Sequence, residues 1–439
     1  MVLEPERDAQ GLPKTESLLA LYAQITALIR AGKIVSCRAM EIGGPAGSAL
    51  KMAFGNGLGI SFEEGWTLAE LLDCQYGSFV AELSEELDIG RRLGRVHGGS
   101  HPSLIWRGET VSLAEVYREY HQTLERVYPT LNPEWDEEAR RQADPCGAQT
   151  READRAEAFC HQAKEWKAPA VRVAKPKVLI PAFPGTNCEY DSARAVEAAG
   201  AEAEIFVVRN RTAEEIVRSA EQFASKVGDS QIIFIPGGFS GGDEPDGSAK
   251  LITAFFRNPA VKDSVTELLE RRDGLMCGIC NGFQALIKLG LVPYGKILET
   301  DEHCPTLTYN TIGRHQSRIV RTRVASNLSP WLREAELGGI YSVPISHGEG
   351  RFLAEESLIQ QLKENGQIAT QYVDLAGNPT TDIRYNPNGS IAAIEGITSP
   401  DGRVFGKMGH SERVGKDLYK NVPGNYDIRM FASAVKYFK

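Results

Sequence analysis

The stretch Leu275-Met-Cys-Gly-Ile-Cys-Asn-Gly-Phe-Gln-Ala-Leu286 joins a short apolar run, which predicts a strand, to a run with helical spacing. Cys280 lies at the junction, with Gly278 two residues before it and Gly282 two residues after it. This is the pattern of a nucleophile elbow, with cysteine where hydrolases often carry serine. Side chains at the two glycine positions would clash in so sharp a turn. The first N–H groups of the following helix favour a thiolate and an oxyanion, so the stretch predicts a reactive cysteine at Cys280.

Two other interpretations of Cys280 stay open on this stretch alone. Cys277 and Cys280 form a C-x-x-C, which can be a redox pair. Cys277 is expected inside the strand, however, whereas a redox pair usually has both sulfurs at the helix start. The other alternative is a buried structural cysteine, because free cysteines often pack as small apolar side chains.

The region before the elbow alternates between apolar strands and amphipathic helices. Strands are predicted at 178–183, 203–208 and 232–236, with helices between them. This alternation predicts an α/β fold with a doubly wound, mostly parallel sheet, whose site lies at the carboxyl ends of its strands. The glycine-rich loop that follows residue 236 and the Cys280 elbow both fall at that edge.

The partners that a nucleophilic cysteine needs are also present. The backbone N–H groups of Gly238, Phe239 and Asn281 are predicted oxyanion donors. Further along the chain, His410 and Glu412 supply a base and a carboxylate that orients it. His347, in His-Gly-Glu-Gly350, is the rival histidine. A metal site at His303 and Cys304 is weakly supported, because no second pair has ligand spacing.

Composition excludes several other function classes. The chain has 439 residues and a net charge of −9, without a Lys/Arg run, so no nucleic-acid partner is expected. No apolar stretch reaches membrane-spanning length, and the first residues lack the apolar core of a signal peptide. The widely spaced cysteines are typical of reduced thiols. We therefore expect a cytoplasmic protein with no membrane partner.

Five ordered motifs between Pro181 and Arg413 resemble the class I glutamine amidotransferases, which have a Cys-His-Glu triad and a flavodoxin-like fold. They resemble more closely the C-terminal part of the phosphoribosylformylglycinamidine synthase family, also called formylglycinamide ribonucleotide amidotransferases. The motifs are PAFPGTNCEYDSARA, IPGGFSGGDE, CGICNGFQAL, ISHGEGRF and GKMGHSER.

The resemblance implies a role for each matching residue. Cys280 is the nucleophile, His410 the general base and acid, and Glu412 its orienter, with L-glutamine as substrate. The implied oxyanion hole consists of Gly238, Phe239 and Asn281, and the implied glutamine-binding residues are Gln284, Asn310, His315 and His347. The family often has Asn-x-Ser where this chain has Asn310-Thr-Ile312, which leaves one contact of that loop in doubt.

The polar and charged composition of two segments, together with the resemblance, predicts a domain organisation. Residues 1–14 are predicted to be a disordered lead-in, and 15–128 the C-terminal part of an α+β half-domain like that of aminoimidazole ribonucleotide synthetase. Residues 129–174 are predicted to be a charged helical linker, and 175–439 the amidotransferase domain. An ATP-binding synthase portion usually precedes the half-domain, so we expect a C-terminal fragment or one piece of a split enzyme. ATP and magnesium are expected only in that portion, and no cofactor or metal in this chain.

The expected reaction is release of ammonia from glutamine, for ATP-dependent conversion of formylglycinamide ribonucleotide to formylglycinamidine ribonucleotide in purine biosynthesis. The synthase portion is the expected partner, and without it glutaminase activity should be weak. Two alternatives remain at this stage, a cysteine hydrolase or peptidase on the same elbow fold, and an inert ammonia-channelling scaffold.

Overall fold

The computed structural model describes residues 1–99, 101–127, 152–163, 168–241, 249–415, 418–419 and 422–439. The chain divides into two compact units, Met1–Gln149 and Thr150–Lys439. Within the described ranges, no helix has the length and apolar character needed to cross a bilayer.

The first unit is an α+β fold with two small sheets. Its strands are β1 (Val2–Leu3), β2 (Ile34–Ala39), β3 (Gly59–Phe62), β4 (Phe79–Leu83), β5 (Gly94–His97), β6 (Ser103–Trp106) and β7 (Glu109–Ser112). Its helices are α1 (Thr15–Arg30), α2 (Gly44–Asn56), α3 (Leu68–Leu72) and α4 (Leu113–Glu125). Strands β1, β4 and β2 form an antiparallel sheet in that order, and the other sheet has the order β5-β3-β6-β7.

The prediction of a disordered lead-in at residues 1–14 is wrong. Val2 and Leu3 pair with β4 and are buried in the core of the first unit. The N-terminal amine donates to the carbonyl oxygen of Ala81 at 2.8 Å. Burial of two apolar side chains and pairing of the backbone offset the entropy cost of ordering this segment. The likeness of the first unit to a synthetase half-domain stays a prediction.

The second unit is a mixed α/β fold around one large sheet. Its strands are β8 (Lys177–Ala182), β9 (Glu202–Val207), β10 (Ile232–Ile235), β11 (Leu275–Ile279), β12 (Thr306–Tyr309), β13 (Gln316–Val324), β14 (Ile340–His347), β15 (Glu349–Leu353), β16 (Ile368–Tyr372), β17 (Ile394–Thr398) and β18 (Val404–Lys407). Its helices are α5 (Glu189–Ala198), α6 (Ala213–Gly228), α7 (Lys250–Phe256), α8 (Pro259–Glu270), α9 (Asn281–Leu289), α10 (Leu291–Tyr294), α11 (Glu356–Glu364) and α12 (Met430–Phe438).

The large sheet has the strand order β14-β13-β16-β17-β18-β11-β10-β8-β9. Strands β9, β8, β10, β11 and β18 are parallel, whereas β17, β16, β13 and β14 continue the sheet in antiparallel pairs. Strands β10 and β11, inside the parallel part, are buried along their whole length, which explains their unbroken apolar sequences. The parallel, doubly wound part predicted from the alternation is therefore confirmed, and the whole sheet is mixed.

The predicted charged helical linker at 129–174 is wrong where the structure describes it. Residues 152–154 form one 3₁₀ turn, and the segment to 163 continues without a helix. Phe159 is buried in the core of the second unit, and its N–H donates to Oε1 of Gln371 at 3.0 Å. The apolar side chain and this hydrogen bond tie the segment to the domain that follows. Residues 129–151 and 164–167 lie outside the described residues.

Candidate active site

The ends of three neighbouring parallel strands bring the predicted catalytic residues together. In the register of the sheet, Ile235 of β10 lies opposite Gly278 of β11, and Gly278 lies opposite Gly406 of β18. The three strands therefore end at one edge, and their following loops carry Gly237, Cys280 and His410. This is the edge where parallel α/β sheets place their ligands.

The elbow has the strained geometry that the sequence predicts. Cys280 has φ 54° and ψ −106° and lies directly before α9. A Cβ on Gly278 would lie 2.5 Å from the backbone of Gly282, and a Cβ on Gly282 would lie 2.1 Å from the carbonyl oxygen of Ile235. Neither distance is tolerable for a side chain, so the predicted need for both glycines is confirmed. Such strain is maintained only where the surrounding structure enforces it.

His410 and Glu412 form a buried hydrogen-bonded pair. Nδ1 of His410 lies 2.6 Å from Oε1 of Glu412, and both side chains are almost fully buried. Burial alone would lower the pKa of His410, but the Glu412 carboxylate and the nearby cysteine sulfurs hold that pKa well above its usual value. Burial would likewise raise the pKa of Glu412, but His410 holds it below its usual value. The hydrogen bond between them therefore favours the protonated imidazole and the ionised carboxylate.

The imidazole faces the same small space as Cys280. A Cβ on Gly237 would lie 2.7 Å from Cε1 of His410 and 3.4 Å from Cβ of Cys280. Nε2 of His410 is buried and has no hydrogen-bond partner among the described residues. The Cys280 sulfur lies 3.6 Å from the carbonyl oxygen of Ser346. Because Nδ1 is held by Glu412, Nε2 is the nitrogen that remains for proton exchange at the elbow.

Two of the three predicted oxyanion donors are free in the structure. The N–H groups of Gly238 and Asn281 donate no hydrogen bond to another described residue. The N–H of Phe239 instead donates to the carbonyl oxygen of Gly185 at 2.8 Å, so the prediction of Phe239 as a donor is wrong. The loop turns back on Gly185 so closely that a Cβ on Gly238 would lie 2.6 Å from that oxygen.

Two of the predicted glutamine-binding residues, Gln284 and Asn310, are hydrogen-bonded to the backbone of β14 and β15. Gln284 donates from Nε2 to the carbonyl oxygen of Glu349 at 2.6 Å and accepts from Nδ2 of Asn281 at 2.9 Å. Asn310 donates to the carbonyl oxygens of Arg314 and His347 at 3.0 and 2.8 Å. Both side chains are buried and hydrogen-bonded to protein groups. The structure therefore places them as supports of the loop between β14 and β15.

The two remaining predicted glutamine-binding residues are the histidines of this loop region. His315 is exposed, and its Nε2 lies 2.9 Å from the hydroxyl of Ser346. His347 is buried, and its Nδ1 lies 3.1 Å from Oδ1 of Asn310. Nε2 of His347 has no partner among the described residues. Burial, with smaller contributions from His410 and His315, lowers the pKa of His347 to about 3.

We expect His347 to make the protein less stable as the pH falls. Between the ordinary histidine pKa of about 6.5 and the folded value of about 3, the unfolded chain binds a proton that the folded chain does not. The free energy of unfolding should therefore fall by roughly 1.4 kcal/mol per pH unit in this window from His347 alone. Urea unfolding of the wild type and of His347→Asn, whose amide can replace Nδ1, measures this slope. Equal slopes in the two proteins would contradict the expectation.

Cys188, which was not predicted from the sequence as a site residue, lies beside the histidine–glutamate pair. Its sulfur is 3.8 Å from Nδ1 of His410 and accepts a hydrogen bond from Nη2 of Arg413 at 2.9 Å. Cys188 directly precedes α5, in the loop that follows β8. The signal was present, because that loop also lies at the carboxyl end of a parallel strand.

The residues around His410 also include three groups of the types that bind metal ions. Among the described residues, the donor atoms of Cys188, His410 and Glu412 all lie within 4.8 Å of one another. At the weakly supported site, Nδ1 of His303 lies 2.8 Å from Oε1 of Glu355, and Cys304 accepts from the hydroxyl of Tyr294. We assign no metal to either group.

Comparisons with known proteins agree with the geometry. The family model of the CobB/CobQ-like glutamine amidotransferase domain matches residues 175–438. The chain is 37% identical over 257 residues to the phosphoribosylformylglycinamidine synthase subunit PurQ of Methanococcus maripaludis. The match covers 58% of this chain and 87% of that protein. It is 31% identical over 250 residues to the same subunit of Aquifex aeolicus, with 55% and 92% covered. These matches confirm the resemblance read from the five motifs.

Among solved structures, the chain is similar to one reported as PurLQS from Thermotoga maritima. The sequence identity is 26% and the TM-score 0.44, and the match covers 60% of this chain and all of that chain.

Proposed function

The chain belongs to the CobB/CobQ-like glutamine amidotransferase family, and from this membership we propose that it is the glutaminase part of a phosphoribosylformylglycinamidine synthase. It is an enzyme that uses glutamine as amide donor in a ligase-type reaction. The observation that carries the proposal is the meeting of the Cys280 elbow with the His410–Glu412 pair at one edge of the sheet.

We propose that Cys280 attacks the side-chain amide carbon of glutamine. A carbon–sulfur bond forms, and the carbonyl oxygen becomes an oxyanion near the N–H groups of Gly238 and Asn281. Donors fixed in advance are worth about 3 kcal/mol each at such an oxyanion. The elbow strain and the helix behind it hold the sulfur in place for this step.

His410 then acts as the acid and the base of the reaction. In its protonated form it gives a proton to the amide nitrogen, the carbon–nitrogen bond breaks and ammonia leaves. Neutral His410 next takes a proton from water, which attacks the thioester and releases glutamate and the Cys280 thiol. Glu412 stabilises the imidazolium that alternates with the neutral ring, because it is buried 2.6 Å from Nδ1.

The ammonia is proposed to pass to a synthase portion, where ATP and magnesium activate formylglycinamide ribonucleotide. The relatives carry the name of a synthase subunit, which supports a partner of this kind. Residues 15–128 are proposed to be the half-domain of the synthase type, and the reaction to be cytoplasmic. Without the synthase site we expect weak glutaminase activity, since ammonia would have no acceptor.

Labelling with 6-diazo-5-oxo-norleucine tests the proposal. The reagent resembles glutamine and alkylates an activated nucleophile in a glutamine pocket. We expect one adduct on the Cys280 peptide, blocked by excess glutamine, and glutamine-dependent amidine formation when a synthase subunit is supplied. An adduct that glutamine does not block would favour a general cysteine hydrolase. Absence of the adduct with the synthase subunit present would contradict the proposal.

A further inference from the structure

We propose that the side-chain carboxamide of Asn281 is a positioning group for the oxyanion hole, because it fastens the glycine-rich loop 237–241 to helix α9. This role is separate from that of the Asn281 backbone N–H, which is one of the two oxyanion donors. The other donor, the N–H of Gly238, belongs to the loop that the carboxamide holds. The inference rests on the proposed function only in taking these two N–H groups as oxyanion donors.

Loop 237–241 is hydrogen-bonded to the segment that follows β8. The N–H of Phe239 donates to the carbonyl oxygen of Gly185 at 2.8 Å. The N–H of Gly241 donates to the carbonyl oxygen of Pro184 at 2.9 Å. Both bonds join the loop to this one neighbour, so they do not fix its distance from the elbow.

Ser240, between these two residues of the loop, joins it to a second neighbour. Its N–H donates to Oδ1 of Asn281 at 3.3 Å. Both residues are buried, and a hydrogen bond in a buried place is electrostatically stronger than one exposed to water. Because Ser240 is two residues from Gly238, this bond holds the loop to α9 close to the donor that the loop contributes.

The orientation of the Asn281 carboxamide is set by a chain of hydrogen bonds that begins at β15. The carbonyl oxygen of Glu349 can only accept, so the atom of Gln284 that lies 2.6 Å from it is the donor Nε2. Oε1 of Gln284 then requires a donor, which is Nδ2 of Asn281 at 2.9 Å. Oδ1 of Asn281 is left to accept from Ser240, whose N–H can only donate. Both ends of the chain therefore select the same orientation of the two amides.

The consequence is that Asn281 sets the distance between the two oxyanion donors. Its backbone supplies one donor, and its side chain holds the loop that supplies the other. Such donors stabilise charge that develops in the transition state, so a change in their spacing lowers kcat more than it raises KM. A displacement of about 1 Å at a site of this kind can cost about a hundredfold in rate.

Hydrogen–deuterium exchange of the full chain tests the contact itself. In Asn281→Ala, which keeps the backbone N–H, we expect peptides covering 237–241 to exchange several-fold faster than in the wild type. Asn327→Ala is the matched control. It removes a buried carboxamide that accepts from the N–H of Ala163 at 2.8 Å, beyond the end of β13 that lies away from His347. This control should leave the exchange of the loop unchanged, whereas unchanged exchange in Asn281→Ala would overturn the proposal.

The wild type provides a measurement that does not depend on the folding of a variant. With exchange resolved to single residues, the N–H of Ser240 should exchange more slowly than the N–H of Gly238, because only the first donates to a protein group in the structure. Equally fast exchange of the two groups would mean that Asn281 does not hold the loop.

Kinetics with a synthase subunit present test the effect on the oxyanion. We expect kcat of Asn281→Ala to fall by about ten- to a hundredfold, with KM for glutamine within about threefold of the wild type. Iodoacetamide alkylates a thiol without forming an oxyanion, so alkylation of the Cys280 peptide should keep its rate to within about threefold. Asn327→Ala should keep both rates. A parallel loss of kcat and alkylation in Asn281→Ala would show an effect on the nucleophile and would contradict the positioning role.

The outcomes separate this role from the proposed function. If the wild type hydrolyses glutamine and Asn281→Ala does so at the same rate, the glutaminase assignment stands and the positioning role is wrong. If the wild type neither hydrolyses glutamine nor takes the diazo-oxo-norleucine label, the glutaminase assignment fails. Faster exchange of the loop in Asn281→Ala would then still show that the carboxamide holds the loop.

Discussion

Cys280→Ala is expected to lower glutaminase turnover by about ten thousandfold or more, since loss of the nucleophile removes the covalent route altogether. The residual rate would come from the oxyanion donors and from binding alone. Alanine fits the elbow without a new clash, because only the sulfur is deleted at a position already held at φ 54°. Turnover should be measured with a synthase subunit present, because the isolated chain is expected to be weakly active.

Two further variants make this result specific. Cys304→Ala removes a cysteine that lies away from the site, and it should leave turnover within a factor of two or so of the wild type. Cys188→Ala removes the other sulfur beside His410, and it should keep the diazo-oxo-norleucine adduct on Cys280. If Cys188→Ala loses the adduct and Cys280→Ala retains turnover, the nucleophile has been assigned to the wrong cysteine.

The elbow could be predicted from the sequence because its determinants are local. Two glycines flank Cys280 within five residues, and the strand and helix around it have clear apolar periods. The pairing of His410 with Glu412 was equally local, since only Ser411 lies between them. The prediction that these two residues lie next to Cys280 came from the family resemblance. The physical reason is the parallel register of β11 with β18, which places the ends of both strands at one edge of the sheet.

The contacts that were missed or mistaken depend on where distant loops meet. Whether the N–H of Phe239 is free depends on the carbonyl oxygen of Gly185, which belongs to the loop after another strand. Cys188 reaches His410 across 222 positions of sequence. Periodicity and motif spacing contain no information on such approaches, so one predicted donor was wrong and one active-site thiol was overlooked.

The misjudged segments have a similar cause. Residues 1–14 and 152–163 are polar on average, and the structure of each segment was predicted from this average composition. Whether each segment is ordered depends instead on a few apolar side chains. Val2 and Leu3 of the first segment and Phe159 of the second pack into cores formed by residues far along the chain. The composition of a segment is a property of that segment alone, whereas the burial of its side chains depends on the residues against which they pack.

Lys407→Met is expected to lower the free energy of unfolding by about 3–5 kcal/mol, because it leaves a buried carboxylate without its counter-ion. Nζ of Lys407 lies 3.1 Å from Oε1 of Glu395, and both side chains are almost completely buried. The ammonium also donates to the carbonyl oxygen of Gly409 at 2.9 Å and to the hydroxyl of Ser411 at 3.1 Å. These two residues flank His410, so turnover should fall as well. Urea unfolding and the glutaminase assay measure the two effects.

An exposed ion pair of the same unit is the matched control. Nζ of Lys436 lies 2.7 Å from Oε1 of Glu334, with 58% of the lysine side chain exposed, so Lys436→Met should cost at most about 1 kcal/mol. A loss as small as this in Lys407→Met would contradict the prediction.

The double variant Lys407→Met/Glu395→Gln should distinguish the effect of Lys407 on the stability of the fold from its effect on the position of His410. It has no charge at either substituted position, and the glutamine oxygen can still accept from the N–H of Gly409, which in the wild type donates to Oε1 of Glu395 at 2.6 Å. We therefore expect it to regain more than about 1 kcal/mol of the lost stability. Turnover should remain low, because the carbonyl oxygen of Gly409 and the hydroxyl of Ser411 still lack the ammonium. Recovery of both stability and turnover would mean that the ammonium only neutralises Glu395 and does not hold the histidine loop.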